Sequence, residues 1–148
     1  PGAALYGINP TPGYPNPMGQ VAHLQARILQ VRTIDPAETV GYGATHSARR
    51  RSRIATVALG YADGYLRSLS NRGSGWIAGQ RVPLVGRVSM DLATFDVTDL
   101  PAGVALPGAM IELLGPMLDC DSLGEAAGTI GYEILTSLGS RYHRSYRP

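Results

Sequence analysis

The sequence predicts a mainly β domain, a barrel or sandwich of short strands with a short helical segment near its end. Three observations carry that expectation. Nineteen glycines and eleven prolines among 148 residues put the two types well above their usual ~12%, which calls for many tight turns. Between those turns, apolar and polar residues alternate in short runs. Helix-start signals come only late in the chain. A length of ~150 residues allows roughly two-thirds of the unfolded surface to be buried, so a core needs no metal or disulfide.

Residues 1–20 hold Pro10, Pro12, Gly13, Pro15, Pro17 and Gly19 and read as a strip followed by an extended connector, because proline fixes its own φ and keeps its predecessor out of helix. A domain is expected over residues 21–148. From Val21 to Thr33, Ala22, Leu24, Ala26 and Ile28 share one side and Leu29 and Val31 the other, so a long strand with a bulge at Ile28–Leu29 is expected. Further strands are expected at Arg53–Leu59, Trp76–Ala78, Val82–Ser89, Leu92–Thr98 and Met110–Leu114. Ala78-Gly79-Gln80 reads as a hairpin turn. In Leu92–Thr98, Ala93, Phe95 and Val97 oppose Leu92, Thr94 and Asp96, a half-buried pattern. Ser122-Leu123-Gly124-Glu125 fits a capping box, with Asp121 adding favourable charge. Thr129 is placed to cap a second helix carrying Ile130, Ile134 and Leu138 and ending at Gly139. The tail, Tyr142–Arg147, is expected to form a last strand.

Composition excludes several functions. The single cysteine, Cys120, cannot form an internal disulfide. No run approaches ~18 apolar residues, so no transmembrane helix is expected, and the start lacks a signal-peptide pattern. There is no Walker loop, no HExxH, and no GxGxxG in a βαβ setting. His23, His46 and His143 lack metal-ligand spacing, so no metal site is expected. All 13 basic residues are arginine. Chemistry that needs a lysine amine, above all a Schiff base, cannot be completed by this chain alone. The first residue is Pro1 rather than Met, which fits a piece of something longer.

Two features point toward chemistry. The run Arg49-Arg50-Arg51-Ser52-Arg53 reads either as a solvated loop or as phosphate contacts of a stand-alone β-barrel binding module. Eight tyrosines stand against one Phe and one Trp, several beside glycine, as in Gly41-Tyr42-Gly43, Gly60-Tyr61-Ala62-Asp63-Gly64-Tyr65 and Gly131-Tyr132. A phenol flanked by glycines can lean into a cleft against a closely approaching backbone. On spacing alone most of these tyrosines read as interface or core-edge residues. A tyrosine base needs help from its surroundings, since its ordinary pKa is about 10.

Taken in order, five segments resemble the C-terminal domain of alanine racemase: Pro1-Gly2 with Leu5-Tyr6-Gly7; Val40-Gly41-Tyr42-Gly43-Ala44-Thr45; Gly60-Tyr61-Ala62-Asp63-Gly64-Tyr65; Val85-Gly86-Arg87-Val88-Ser89-Met90-Asp91; and Thr129-Ile130-Gly131-Tyr132-Glu133. They keep the family's order and spacing over nearly the whole chain. The resemblance implies a fold-type III enzyme in which a (β/α)8 barrel holding pyridoxal 5′-phosphate precedes a mostly β domain. Residues 1–20 then match the strip leaving the barrel, and the barrel with its lysine lies outside this sequence.

The resemblance also implies residue roles. Tyr42 matches the catalytic base for L-alanine, with the lysine serving the opposite face. Met90 matches the residue whose backbone N–H meets the substrate carboxylate, with Asp91 beside it. Arg87 and Tyr61 match residues lining the substrate entryway. Tyr132 matches the tyrosine whose hydroxyl binds the cofactor phosphate, and Gly2 and Ala3 match the backbone N–H groups that also hold it. In the family the site forms between two subunits of a homodimer: Tyr42, Arg87 and Met90 would face the partner's barrel, and Gly2, Ala3 and Tyr132 their own. The implied function is interconversion of L- and D-alanine in the cytoplasm, supplying D-alanine for peptidoglycan. Neither nucleic acid nor membrane is an expected partner, and this chain alone is expected to be inactive.

Overall fold

The computed structural model describes residues 2–146; Pro1 of the expected strip and Arg147 of the expected tail strand lie outside them. Eight strands and two helices follow one another. They are β1 (Leu24–Ile34), β2 (Thr39–Val40), β3 (His46–Ser47), β4 (Ser52–Val57), β5 (Ser74–Ile77), β6 (Gln80–Pro83), β7 (Ala93–Asp96), β8 (Met110–Leu114), α1 (Cys120–Ala127) and α2 (Gly131–Ser137). Six strands form one antiparallel sheet in the order β6-β5-β8-β1-β4-β7, and β2 pairs with β3 separately.

The two edge strands come close to closing the sheet. Beyond β6, Leu84 bridges to Phe95 of β7, and Val85 N–H donates to Thr94 O at 2.9 Å. A sheet that curls until its edges meet leaves few unpaired backbone groups, which is the benefit of a barrel. The enclosed core includes Ile28, Val57, Leu59, Phe95, Ile111 and Leu113, with Leu123 of α1 and Ile134 of α2 packed into the same cluster. A smaller cluster of Ile34, Val40, Ala48, Ile54 and Val85 lies beneath the β2–β3 hairpin.

β1 carries the barrel. Its first half pairs with β8 and its second with β4, and the register shifts between Ile28 and Gln30, where the change of alternation was expected. Leu24, Ala26 and Ile28 are buried, whereas Leu29 remains half-exposed and Val31 only partly covered, because the strand runs off the core edge after the bulge. Ala78 and Gly79 both adopt positive φ, 48° and 76°, the twist that suits a two-residue hairpin. In β7, Ala93 and Phe95 point into the core as the alternation requires, and Val97 continues the pattern.

Four expectations need correction. The strand expected over Val82–Ser89 ends at Pro83, with Leu84 adding one bridge; Gly86, at φ 78°, turns the chain away before it can continue. α1 starts one turn early, since Asp119 rather than Ser122 is its cap and accepts Ser122 N–H at 2.7 Å. That start brings Cys120 and Leu123 onto the buried face. α2 ends at Ser137, not Gly139, and Ile130 precedes it as an exposed cap residue, while Thr129 Oγ1 hydrogen-bonds Glu133. Tyr142–Tyr146 form no strand; the segment after α2 is held by one backbone bond, Gly139 N–H to Asp63 O, and by side-chain contacts of Arg141 and Arg144.

Candidate active site

Tyr42 stands in the short connection between β2 and β3. Gly41 enters that connection at φ 76°, in the region that favours glycine, and a Cβ there would sit 3.0 Å from Arg87 N. The backbone at 41 can therefore lie against the backbone at 86–87. Tyr42 is left 73% exposed, its ring free of the core.

The loop after β4 builds a second wall. Gly60 is extended, yet a Cβ on it would lie 2.2 Å from Met90 O and 2.4 Å from Ser89 O. With only hydrogen there, the loop docks by main chain: Tyr61 N–H donates to Ser89 O at 3.0 Å and Ala62 N–H to Met90 O at 2.9 Å. Asp63, a buried carboxylate, accepts Gly60 N–H at 2.8 Å and keeps the loop tight.

Ser89 and Leu92 close the third element. Ser89 N–H donates to Leu92 O at 2.9 Å, and Leu92 N–H donates to Ser89 Oγ at 3.1 Å. Met90 and Asp91 ride on the apex of this turn. Met90 is exposed, and among the described residues its N–H donates to nothing.

These three elements enclose a cleft of about 390 Å³ lined by Tyr42, Tyr61, Arg67, Arg87, Val88, Ser89 and Met90. Four of the residues expected to meet substrate, far apart in sequence, thus share one cleft. Asp91 does not line it; its Oδ1 accepts from Arg141 Nη1 at 2.8 Å. Chemically the cleft offers two guanidinium groups and a free backbone N–H suited to a small carboxylate, and two phenols capable of proton transfer.

Gly2, Ala3 and Tyr132 gather elsewhere. Gly2 and Ala3 begin a single 3₁₀ turn, Gly2–Tyr6, and Tyr132 is the second residue of α2. Ile8 connects the two: its N–H donates to Ala3 O at 3.3 Å, and a Cβ on Gly131 would lie 3.2 Å from its Cδ1. Asn9 N–H reinforces the tie by donating to Asp121 Oδ2 at 2.7 Å. None of the three expected cofactor residues lines the Tyr42 cleft.

Two further phenols, Tyr65 and Tyr142, were given no site role by the sequence. Tyr65 is fully buried and Tyr142 partly so, and neither hydroxyl has a partner among the described residues. Burial raises both pKa values, with the neighbouring Tyr142 charge adding for Tyr65 and the Asp63 charge for Tyr142. Arg141 is held more firmly protonated by its bond to Asp91 and by the charge of Asp63.

Sequence reasoning also missed Arg67, which lines the cleft, and Asn71, which braces it. Asn71 sits at φ 58°, a conformation asparagine tolerates better than most residues, and its place before Arg72-Gly73 in a turn-rich stretch was the one local signal. The arginine run lies mostly on the surface, and only Arg53 is tied into the fold. Arg50 pairs with Asp99 at 2.6 Å, Arg51 approaches Asp35 at 3.9 Å, and Arg53 donates to Val97 O and Leu100 O at 2.7 and 2.6 Å. Among the described residues no group of His, Cys, Asp and Glu could hold a metal, and no helix is long and apolar enough to cross a membrane.

Comparison with known proteins identifies the family and the fold. The family model described as "Alanine racemase, C-terminal domain" matches residues 21–146. An alanine racemase of Rhodospirillum rubrum is 62% identical over 146 residues, covering 99% of this chain and 39% of that protein. A catabolic alanine racemase of Agrobacterium fabrum is 49% identical over 99% of this chain and 38% of its own length. Among solved structures, alanine racemase from Bartonella henselae with covalently bound pyridoxal phosphate superposes with a TM-score of 0.93 at 43% identity, over 99% of this chain and 41% of that one. Biosynthetic alanine racemase from Pseudomonas aeruginosa gives 0.94 at 39% identity, over 100% of this chain and 42% of that one. The chain therefore spans about 40% of the length of the relatives it matches. With the family model over residues 21–146, the sequence likeness and the shared fold in agreement, the chain belongs to the alanine racemase C-terminal domain family.

Proposed function

We propose that this chain is the C-terminal part of an alanine racemase, residues 1–20 being the strip from a preceding barrel and 21–148 the β domain. In this reading it supplies one of the two bases needed to interconvert L- and D-alanine. The observation that carries the reading is the convergence of Tyr42, Tyr61, Arg87 and Met90 on one cleft. Alanine is a small carboxylate-bearing substrate, and the guanidinium groups and the free N–H of the cleft complement its charge.

In this role Tyr42 takes or returns the α-proton on one face of the substrate through its phenol oxygen. Arg87 and Tyr61 admit the substrate, and Met90 N–H orients its carboxylate. Asp91 stands next to Met90 on the same turn. The opposite face needs a second base, a lysine that this chain does not contain, so the chain alone is inactive.

The local chemistry fits pyridoxal 5′-phosphate. Tyr132 presents an exposed phenol, and Gly2, at φ 45°, has open space where a Cβ would stand. Gly2 and Ala3 open a turn, so their N–H groups precede its internal bonds and can meet a phosphate. When bound, the cofactor supplies the electron sink that makes the α-proton acidic.

The two groups of residues lie at separate places on this domain, which suits a homodimer. Tyr42, Arg87 and Met90 would serve the partner's barrel, and Gly2, Ala3 and Tyr132 their own. Supply of D-alanine for peptidoglycan in the cytoplasm is the corresponding cellular role.

The test is a chimera in which this chain replaces the matching part of the Rhodospirillum rubrum enzyme, assayed for alanine racemisation with pyridoxal 5′-phosphate. Activity that vanishes with Tyr42→Phe supports the reading. A folded, cofactor-loaded chimera that does not racemise alanine overturns it.

A further inference from the structure

We infer that Arg141 is a positioning residue that sets the spacing of the two loops forming the mouth of the Tyr42 cleft; this rests on the reading of that cleft as the substrate site. Arg141 lines no part of the cleft. It stands outside, on the segment that follows α2, and joins the two loops from behind. Its Nε lies 3.2 Å from Asp63 Oδ1, on the loop that carries Tyr61, and its Nη1 lies 2.8 Å from Asp91 Oδ1, on the turn that carries Met90.

The two carboxylates differ in a way that gives the bridge direction. The Asp63 side chain is only 11% exposed and its other oxygen already accepts Gly60 N–H at 2.8 Å, so it is a fixed anchor. The Asp91 side chain is 54% exposed at the apex of a surface turn, free to swing unless held. One guanidinium with donors in a rigid fork can hold the second carboxylate at a set position relative to the first. An ammonium, as a point charge, would hold it less well.

Arg141 is delivered to this place by the backbone. Gly139 N–H donates to Asp63 O at 3.0 Å, and Gly64 packs so closely on Ser137 that a Cβ would lie 1.8 Å from Ser137 O. Arg144 Nη2 donates to Gly139 O at 2.9 Å and secures the same stretch from its far side. The end of the chain is therefore registered against the Tyr61 loop before Arg141 reaches across to Asp91. This also gives Asp91 a structural duty: it ties the Met90 turn down, and Met90 N–H keeps its aim through that tie.

Loosening the bridge should disturb substrate binding more than proton transfer, because Tyr42 stands on a different element. Two readouts test this on Arg141→Gln and Arg141→Lys. In the chain itself, Arg141→Gln should speed amide exchange at Tyr61 and Ala62 about tenfold, the scale of losing one charged hydrogen bond, and leave β8 amides unchanged. In the chimera, the same change should raise KM for alanine roughly fivefold in both directions while kcat stays within about twofold, with Arg141→Lys recovering part of the KM.

Unchanged exchange at Tyr61 and Ala62, or faster exchange with KM unaltered, overturns the inference. So does exchange that rises equally in β8, since Arg141 would then be a general stabiliser. A wild-type chimera without activity counts against the racemase reading alone, and the exchange measurement then decides the bridge.

Discussion

Asn71 and Gly86 exchange two hydrogen bonds: Gly86 N–H donates to Asn71 Oδ1 at 2.6 Å, and Asn71 N–H donates to Gly86 O at 3.2 Å. The other end of the Asn71 amide donates to Thr45 Oγ1 at 3.1 Å. One side chain thus fixes the residue before Arg87 relative to the connection that carries Tyr42. Its neighbour Ser70 adds a brace, accepting Val88 N–H at 3.0 Å. Asn71→Ala should cost about 2–3 kcal/mol in urea unfolding, through lost bonds and through placing alanine at positive φ. Asn71→Gly should recover the conformational part and leave the hydrogen-bond part lost. Equal stability of Asn71→Ala and wild type would remove the brace.

Gly60→Ala places a methyl on Met90 O, a backbone atom that cannot rotate away. Overpacking of this kind costs about 1–3 kcal/mol, and here the loops have to separate to relieve it. Thermal unfolding of the variant should show the loss, and the amide resonances of Tyr61 and Met90 should shift most. A variant as stable as wild type with unmoved resonances would show that the loops are not in register.

Tyr42→Phe in the chimera should abolish solvent exchange of the α-proton of L-alanine by at least about a hundredfold, while exchange of the D-alanine α-proton persists. Only one face loses its base. Deuterium incorporation followed separately from each enantiomer distinguishes this from a general loss of activity, and equal losses count against the assignment of Tyr42.

Tyr132→Phe removes one hydroxyl from the flank away from the cleft. The chimera should release pyridoxal 5′-phosphate roughly ten- to a hundredfold more readily, as expected for one lost hydrogen bond to a charged group. Equilibrium dialysis with absorbance detection measures it, and unchanged affinity removes the phosphate role.

Stability should fall at alkaline pH. Burial raises the folded-state pKa of Tyr65 and Tyr142 above the unfolded value of about 10. The protonated phenols therefore contribute fully below pH ~10, and the contribution is lost as pH rises from there toward the higher folded-state values. Tyr65→Phe should be neutral at pH 7, since the hydroxyl it removes has no partner, and should flatten the alkaline decline. Urea midpoints from pH 8 to 11 decide it; a decline as steep in the variant would exclude Tyr65 as a source.

The parts of this molecule governed by local pattern were legible in the sequence. The alternation of Leu24, Ala26 and Ile28, the break after Ile28, the Ala78-Gly79 turn and the inward set Ala93, Phe95 and Val97 each follow from side-chain period or turn chemistry. The two-residue strands β2 and β3 were not, because so short a pairing is decided by what packs beneath it, here Val40 and Ala48 on Ile54 and Val85. The cap of α1 moved because two good capping residues, Asp119 and Ser122, stand three apart and burial of Cys120 chose between them. Motif resemblance brought Tyr42, Tyr61, Arg87 and Met90 to attention. It did not reach Arg67, Asn71 or Arg141, whose importance lies in contacts with residues far along the chain.

The docking of Tyr61 and Ala62 onto Ser89 and Met90 uses main-chain groups only. A mouth assembled in this way can change its side chains without changing its shape, since no replacement at 90, and none at 61 other than proline, removes a main-chain bond between the loops. Substitution at those two places is therefore a route by which descendants of one scaffold could reshape the lining of the cleft while Tyr42 stays where it is.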